Sequence, residues 1–166
     1  MGPNAKQTSS SFQCIDALEV SLIIEKQGFI FYDKAAKVAS NSRVRAIFLR
    51  LANEEKEHIQ SLQNKARFLQ PALMQKSFSR KSRAENFIKN ELEGKVFPVP
   101  GCGEGEIKND LEALNVGIEA EKKSIDLLTR LIADEKKMDV LVIFNHLLAE
   151  ERKHLAALEE LKQTLD

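Results

Sequence analysis

A shift of 96 positions lays the second half of this 166-residue chain onto its first half. It carries Glu25 onto Glu121, Glu55 onto Glu151 and His58 onto His154. The same shift pairs Ala17 with Ala113, Leu18 with Leu114, Lys26 with Lys122, Phe48 with Phe144 and Leu51 with Leu147. Repetition of this kind reports a duplicated structural unit. The unit is a helical hairpin, because each half carries two apolar stripes at 3-4 spacing separated by a short break.

The stripes are Leu18, Leu22, Glu25, Phe29, Tyr32, Ala36; then Val44, Phe48, Leu51, Glu55, His58, Leu62, Leu69. The second half gives Leu114, Ile118, Glu121, Ile125, Leu128, Ile132; then Val140, Phe144, Leu147, Glu151, His154, Leu158, Leu161, Leu165. The first helix is expected from about Phe12 to Ala39, with Ser40-Asn41-Ser42 as turn and N-cap. The second is expected from about Arg43 to Leu69, stopping at Pro71. The third starts near Glu106 or Asp110, and a break around Asp134–Lys137 precedes the fourth. Residues 1–12 read as a flexible tail and 13–166 as one domain, with a crossover over about 71–106. That crossover holds a short helix near Arg83–Leu92, a solvated basic patch (Lys76, Arg80, Lys81, Arg83) and the loop that begins at Phe97 and contains Gly101-Cys102-Gly103.

Every stripe is apolar except at its middle, where each helix places a glutamate and two helices add a histidine three residues on. A buried, unpaired carboxylate costs several kcal/mol, and four at one level repel one another as well. No lysine or arginine lies on the stripes. Two divalent cations solve the problem, since four carboxylates and two neutral imidazoles around two M²⁺ sum to zero charge. The heights agree: Glu25 and Glu55 flank the turn near Ser40 at equal separations, as Glu121 and Glu151 flank the turn near Lys136. At 1.5 Å per residue all four stand roughly 22 Å from their turns, and i,i+3 spacing sets each histidine beside its glutamate. Carboxylate and imidazole donors suit iron or manganese and do not exclude zinc.

Composition excludes other classes. Twenty-five basic and 25 acidic residues cancel, so no global field directs the chain to nucleic acid. No apolar run is long enough to cross a bilayer, and residues 1–11 carry no signal-peptide pattern, which makes a cytoplasmic location the expectation. Cys14 and Cys102 form no CxxC pair and are expected as reduced thiols.

Glu25 followed by Glu55-Lys-Glu-His58, then Glu121 followed by Glu151-Arg-Lys-His154, resembles the rubrerythrin branch of the ferritin-like di-iron proteins. The strings Glu25-Lys-Gln-Gly-Phe-Ile-Phe-Tyr32 and Ala52-Asn-Glu-Glu-Lys-Glu-His58 carry the similarity most strongly, and it spans about residues 13–165. The resemblance implies an all-α, ferritin-like four-helix bundle with one long crossover. It also implies two iron ions oxidised by peroxide or dioxygen, an external electron donor and a possible homodimer. Glu25 and Glu121 would then each serve chiefly one metal, Glu55 and Glu151 would bridge, and His58 and His154 would bind one metal each.

The chain departs from the family at two places. It lacks the four cysteines of a rubredoxin domain. Ser124 stands where rubrerythrins carry a further glutamate ligand, so slow, ferroxidase-like oxidation by peroxide is expected. The six residues also resemble the bacterioferritin ferroxidase centre, but Lys56 occupies the place of that family's haem-ligating methionine. A non-catalytic iron-binding or iron-sensing module and a structural metal site stay open as alternatives. Tyr32 fits either a residue supporting the metal centre or core packing, while Glu54, Glu57, Glu119, Glu150 and His146 are expected at the surface.

Overall fold

The computed structural model describes residues 12–73, 83–98 and 109–165. Among these, all regular structure is helical: α1 Cys14–Val38, α2 Ser42–Leu73, α3 Arg83–Phe87 continued by a π-helical turn Ile88–Leu92, α4 Asp110–Asp134 and α5 Met138–Gln163. None of these helices is long and apolar enough to cross a membrane. The helix starts follow local chemistry. Asp16 accepts the Gln13 amide at 2.8 Å before α1. Asn41 accepts the Arg43 amide at 2.8 Å and opens α2. Asn109 accepts the Glu112 amide at 2.8 Å and opens α4. Each side chain satisfies a donor that the first helical turn leaves without a partner.

α1 packs along α2 and α4 along α5, so both expected hairpins form. Contacts at the two ends fix their mutual orientation. Asp110, at the start of α4, accepts the backbone amides of Ser40 and Asn41 at 2.9 and 2.6 Å, and Arg43 reaches Thr164 after α5 at 2.5 Å. The first turn therefore shares one end of the bundle with the α4 N-terminus and the α5 C-terminus. At the other end, Lys137 in the second turn donates to the Phe12 carbonyl at 3.0 Å. Because α2 ends where α4 does not begin, the chain must travel the bundle's length between them, about 37 Å for a 25-residue helix. The long crossover follows from this.

Four expectations needed revision. α2 runs past Pro71 to Leu73; the missing proline amide forfeits one helical bond, and with two residues left the helix closes after it. α1 buries more than one stripe: Ala17, Val20, Ser21, Ile24, Gly28, Phe31 and Ala35 are buried beside Leu18, Glu25, Tyr32 and Ala36. The reason is the crossover, whose α3 and π-turn pack on α1. The Phe97 segment is the third case. Ala84, Leu92, Val96 and Phe97 belong to the hydrophobic core, and Phe97 meets Phe31 and Tyr32 at ring-centroid distances of 5.8 and 6.0 Å. The residue sits at the head of the expected loop but works as core. Phe12 is the fourth: expected as the last residue of the flexible tail, it is buried in the core against Phe87 and Phe144 because its apolar ring finds a place there. Residues 1–11 of the tail, most of the basic patch (Lys76, Arg80, Lys81) and Gly101-Cys102-Gly103 lie outside the described residues. Cys14 carries a free thiol.

Candidate metal centre

The six repeated residues meet at one level of the bundle. Two groups form: Glu25, Glu55 and His58, and Glu55, Glu121, Glu151 and His154, with one donor atom from each residue within 4.8 Å of the others in its group. Glu55 stands in both. All four glutamates and His154 are buried, while His58 is partly exposed. His58 Nδ1 lies 3.2 Å from Glu25 Oε2. His154 Nδ1 faces three carboxylates, Glu55 at 3.4 Å and Glu121 and Glu151 at 3.6 Å each. The two imidazoles lie nearly parallel, their centroids 6.1 Å apart and their planes 15° apart.

Crowding and burial shift the proton affinities of this cluster. Burial pushes the Glu55 and Glu121 carboxyls well above the usual carboxylate range, and neighbouring carboxylates push further. Burial also acts on Glu151, but His154, Glu121 and Ser124 outweigh it and hold that carboxyl low. Burial would lower the His154 imidazole, yet the surrounding Glu121, Glu151 and Glu55 raise it far above its ordinary value. His58 is raised chiefly by its contact with Glu25. Glu55 Oε2, Glu121 Oε2 and both His154 ring nitrogens are buried without a hydrogen-bond partner. Buried polar atoms are normally satisfied, so orphaned donors on Glu55, Glu121 and His154, three members of one group, fit a cation. The donor set, carboxylate oxygen with two imidazoles, suits first-row divalent ions.

The structure adds residues that the stripes did not mark. His154 Nε2 lies 3.4 Å from Glu54 Oε2, and His58 Nε2 lies 3.8 Å from Glu150 Oε2. Glu54 and Glu150 correspond under the 96-residue shift, so each histidine turns its outer nitrogen to the opposite hairpin. Both were expected to be merely solvated; being next to a core glutamate on a helix, they flank the core instead. The signal was in the sequence, since both halves read Glu-Glu-x-x-His. Tyr32 is fully buried, donates a short hydrogen bond to Glu121, and stacks on Phe48. It therefore both supports a cluster residue and packs the core. Ser124 Oγ donates to Glu151 Oε1 at 2.7 Å. Gly28 holds the place equivalent to Ser124, and a Cβ there would stand 2.6 Å from Glu55 Oε1. His146 is exposed, as expected.

A helical bundle that gathers four glutamates and two histidines from two Glu-x-x-His hairpins is of the ferritin-like di-iron carboxylate class. The family model described as Rubrerythrin matches residues 16–162. The chain belongs to the rubrerythrin family. Among solved structures it is similar to a two-domain protein of Anabaena variabilis ATCC 29413 containing DJ-1/ThiJ/PfpI-like and ferritin-like domains, with a TM-score of 0.65 and 15% identity. The match covers 99% of this chain and 46% of that one, so this chain spans about half of that protein. At that identity the likeness is one of fold. No curated protein sequence matches the chain.

Proposed function

We propose that this chain is a di-iron oxidoreductase that oxidises Fe(II) with peroxide or dioxygen. The observation that carries the reading is the gathering of Glu25, Glu55, His58, Glu121, Glu151 and His154 into two adjoining groups that share Glu55, with orphaned donor atoms. Glu25 and His58 would hold one ion, Glu121, Glu151 and His154 the other, and Glu55 would serve both. The bound pair would supply the capacity to give two electrons to an oxygen-donor oxidant. The protein's own part is to neutralise and orient: Glu54 and Glu150 place negative charge beside the outer nitrogens of the imidazoles, Tyr32 and Ser124 fix Glu121 and Glu151, and the aromatic wall of Phe31, Phe48 and Phe97 excludes water. Ser124 in place of a carboxylate favours ferroxidase-type chemistry over rapid peroxide turnover. These 166 residues hold two cysteines, fewer than a four-thiolate iron site needs, so the electron donor lies outside them. Manganese or zinc would fit the same donors.

The test is anaerobic reconstitution with Fe(II), metal analysis, then addition of peroxide or dioxygen under absorbance. About two irons per chain, oxidised on addition, supports the reading. Reproducible absence of bound iron overturns it, and bound iron that does not cycle leaves a binding or sensing module.

A further inference from the structure

The two halves of the centre differ in what surrounds them, and the internal repeat makes the difference readable position by position. On the Glu25/His58 side lies a cavity of about 30 Å³, lined by Ser21, Glu25, His58 and Lys65 among its polar residues and by Leu62, Ile143 and Leu147 on its apolar wall. Ser21 sits one helical turn before Glu25. It is completely buried, and its hydroxyl has no hydrogen-bond partner. An orphaned hydroxyl on the wall of a small cavity of mixed polar and apolar lining asks for a hydrogen-bonding occupant. The volume admits roughly two water-sized bodies, hence a molecule of about two or three heavy atoms.

The equivalent place in the other half is filled. Ser21 maps onto Gly117, Ser61 onto Ala157 and Lys65 onto Leu161. Even a methyl group at Gly117 would meet Phe31 at 3.3 Å and Leu158 at 3.4 Å. Tyr32, which closes this side and donates to Glu121, maps onto Leu128, which offers Glu25 no such donor. Exposure follows the same division: His58 is 23% exposed at its side chain and His154 1%.

We propose that the Ser21 cavity is the port and binding niche for a small oxygen-donor or anionic ligand of two or three heavy atoms, reaching the Glu25/His58 half of the centre alone. Ser21 hydrogen-bonds the ligand inside, and Lys65 at the mouth favours an anion over a cation. The Glu121/His154 half is sealed by Tyr32, Phe31 and Leu158 and takes no ligand from solution. This inference rests on the two-metal reading above.

Co(II)-loaded protein titrated with azide, followed by the cobalt absorption bands, tests it. Cobalt is counted first. If no cobalt binds, the two-metal reading fails and the niche with it. If two bind, one azide per chain is expected. Ser21→Ala, which loses only the hydroxyl, should weaken azide about tenfold. Ser21→Val, which fills the cavity, should abolish azide binding with cobalt still at two per chain. Two azides per chain, or azide affinity unchanged in Ser21→Ala, overturns the niche while the metal reading stands. Should Ser21→Val fail to fold, Ser21→Ala alone decides.

Discussion

Nε2 of His154 lies 3.4 Å from Oε2 of Glu54, which belongs to the other hairpin. A carboxylate beside a histidine's outer nitrogen favours the tautomer with its proton there and leaves the inner nitrogen the better donor. The His58 and Glu150 pair repeats the arrangement at 3.8 Å. Glu54→Ala and Glu150→Ala should therefore each reduce metal affinity about 10- to 100-fold. Helix content should be unchanged. Competition against a chelating dye measures the affinity, and wild-type binding in both variants would reduce the pairs to surface contacts.

His58→Ala and His154→Ala should weaken metal binding more strongly and still leave the bundle folded. The core contains Ile24, Phe48, Leu51, Leu114, Phe144 and Leu158, all essentially inaccessible, and burying each such side chain contributes roughly 1.5–3 kcal/mol. Circular dichroism of chelated wild type and of both variants should show the same helicity. Collapse in all three would make the metal structural.

Gly28→Ala should separate helix stability from metal binding. Alanine favours a helix interior over glycine by about 1 kcal/mol, but its Cβ would fall 2.6 Å from Glu55 Oε1. The flexible carboxylate must move, and Glu55 is the residue common to both groups. The expected result is unchanged or higher thermal stability without metal and at least tenfold weaker metal binding, read by calorimetry and dye competition.

Acidification should stabilise the metal-free protein and destabilise the loaded one. Glu55, Glu121, His58 and His154 all bind protons more tightly in the fold than ordinary carboxyls and imidazoles do. Groups with raised values contribute fully below their unfolded pKa and lose that contribution as pH rises through the folded one. Glu151, held low, acts oppositely only below about pH 4. Between pH 8 and 5 the metal-free melting temperature should therefore rise, by about 3–6 °C. Metal competes with those protons, so the loaded protein should show the reverse trend. A metal-free melting temperature that falls over this window would contradict the charge states described.

Ser124→Glu should speed oxidation of the diferrous protein by peroxide, because it offers a carboxylate one turn beyond Glu121. It also removes the hydroxyl that holds Glu151. Ser124→Ala separates the two effects: it should loosen Glu151 without adding a donor and gain no rate. Stopped-flow absorbance at matched iron loading compares the three. If wild type already matches Ser124→Glu, position 124 does not govern the reaction.

The fold and the six clustered residues were legible because periodicity and charge say the same thing at each of them. A glutamate in the middle of an apolar stripe contradicts its surroundings, and the contradiction repeats 96 positions on. Glu54 and Glu150 were missed because a residue beside the stripe obeys the ordinary pattern of a polar helix face; only the opposite hairpin makes it matter. Phe97 and Leu92 were missed for a related reason. The crossover carries no long periodic stripe, so its apolar residues gained meaning only when α1 proved to have a second buried face. Ser21 gave no signal either, since one serine on a helix is unremarkable until the packing denies it a partner.

The duplication has a consequence for symmetry. Two separate copies of one hairpin, related by a twofold axis, would present identical surroundings to both ions, and any substitution would strike both at once. Joining the copies in a single chain by the long crossover removes that constraint. Serine faces glycine across the pseudo-axis at positions 21 and 117, glycine faces serine at 28 and 124, and tyrosine faces leucine at 32 and 128. Each inequality is encoded once and read once, so a centre built from repeated parts can have a front and a back.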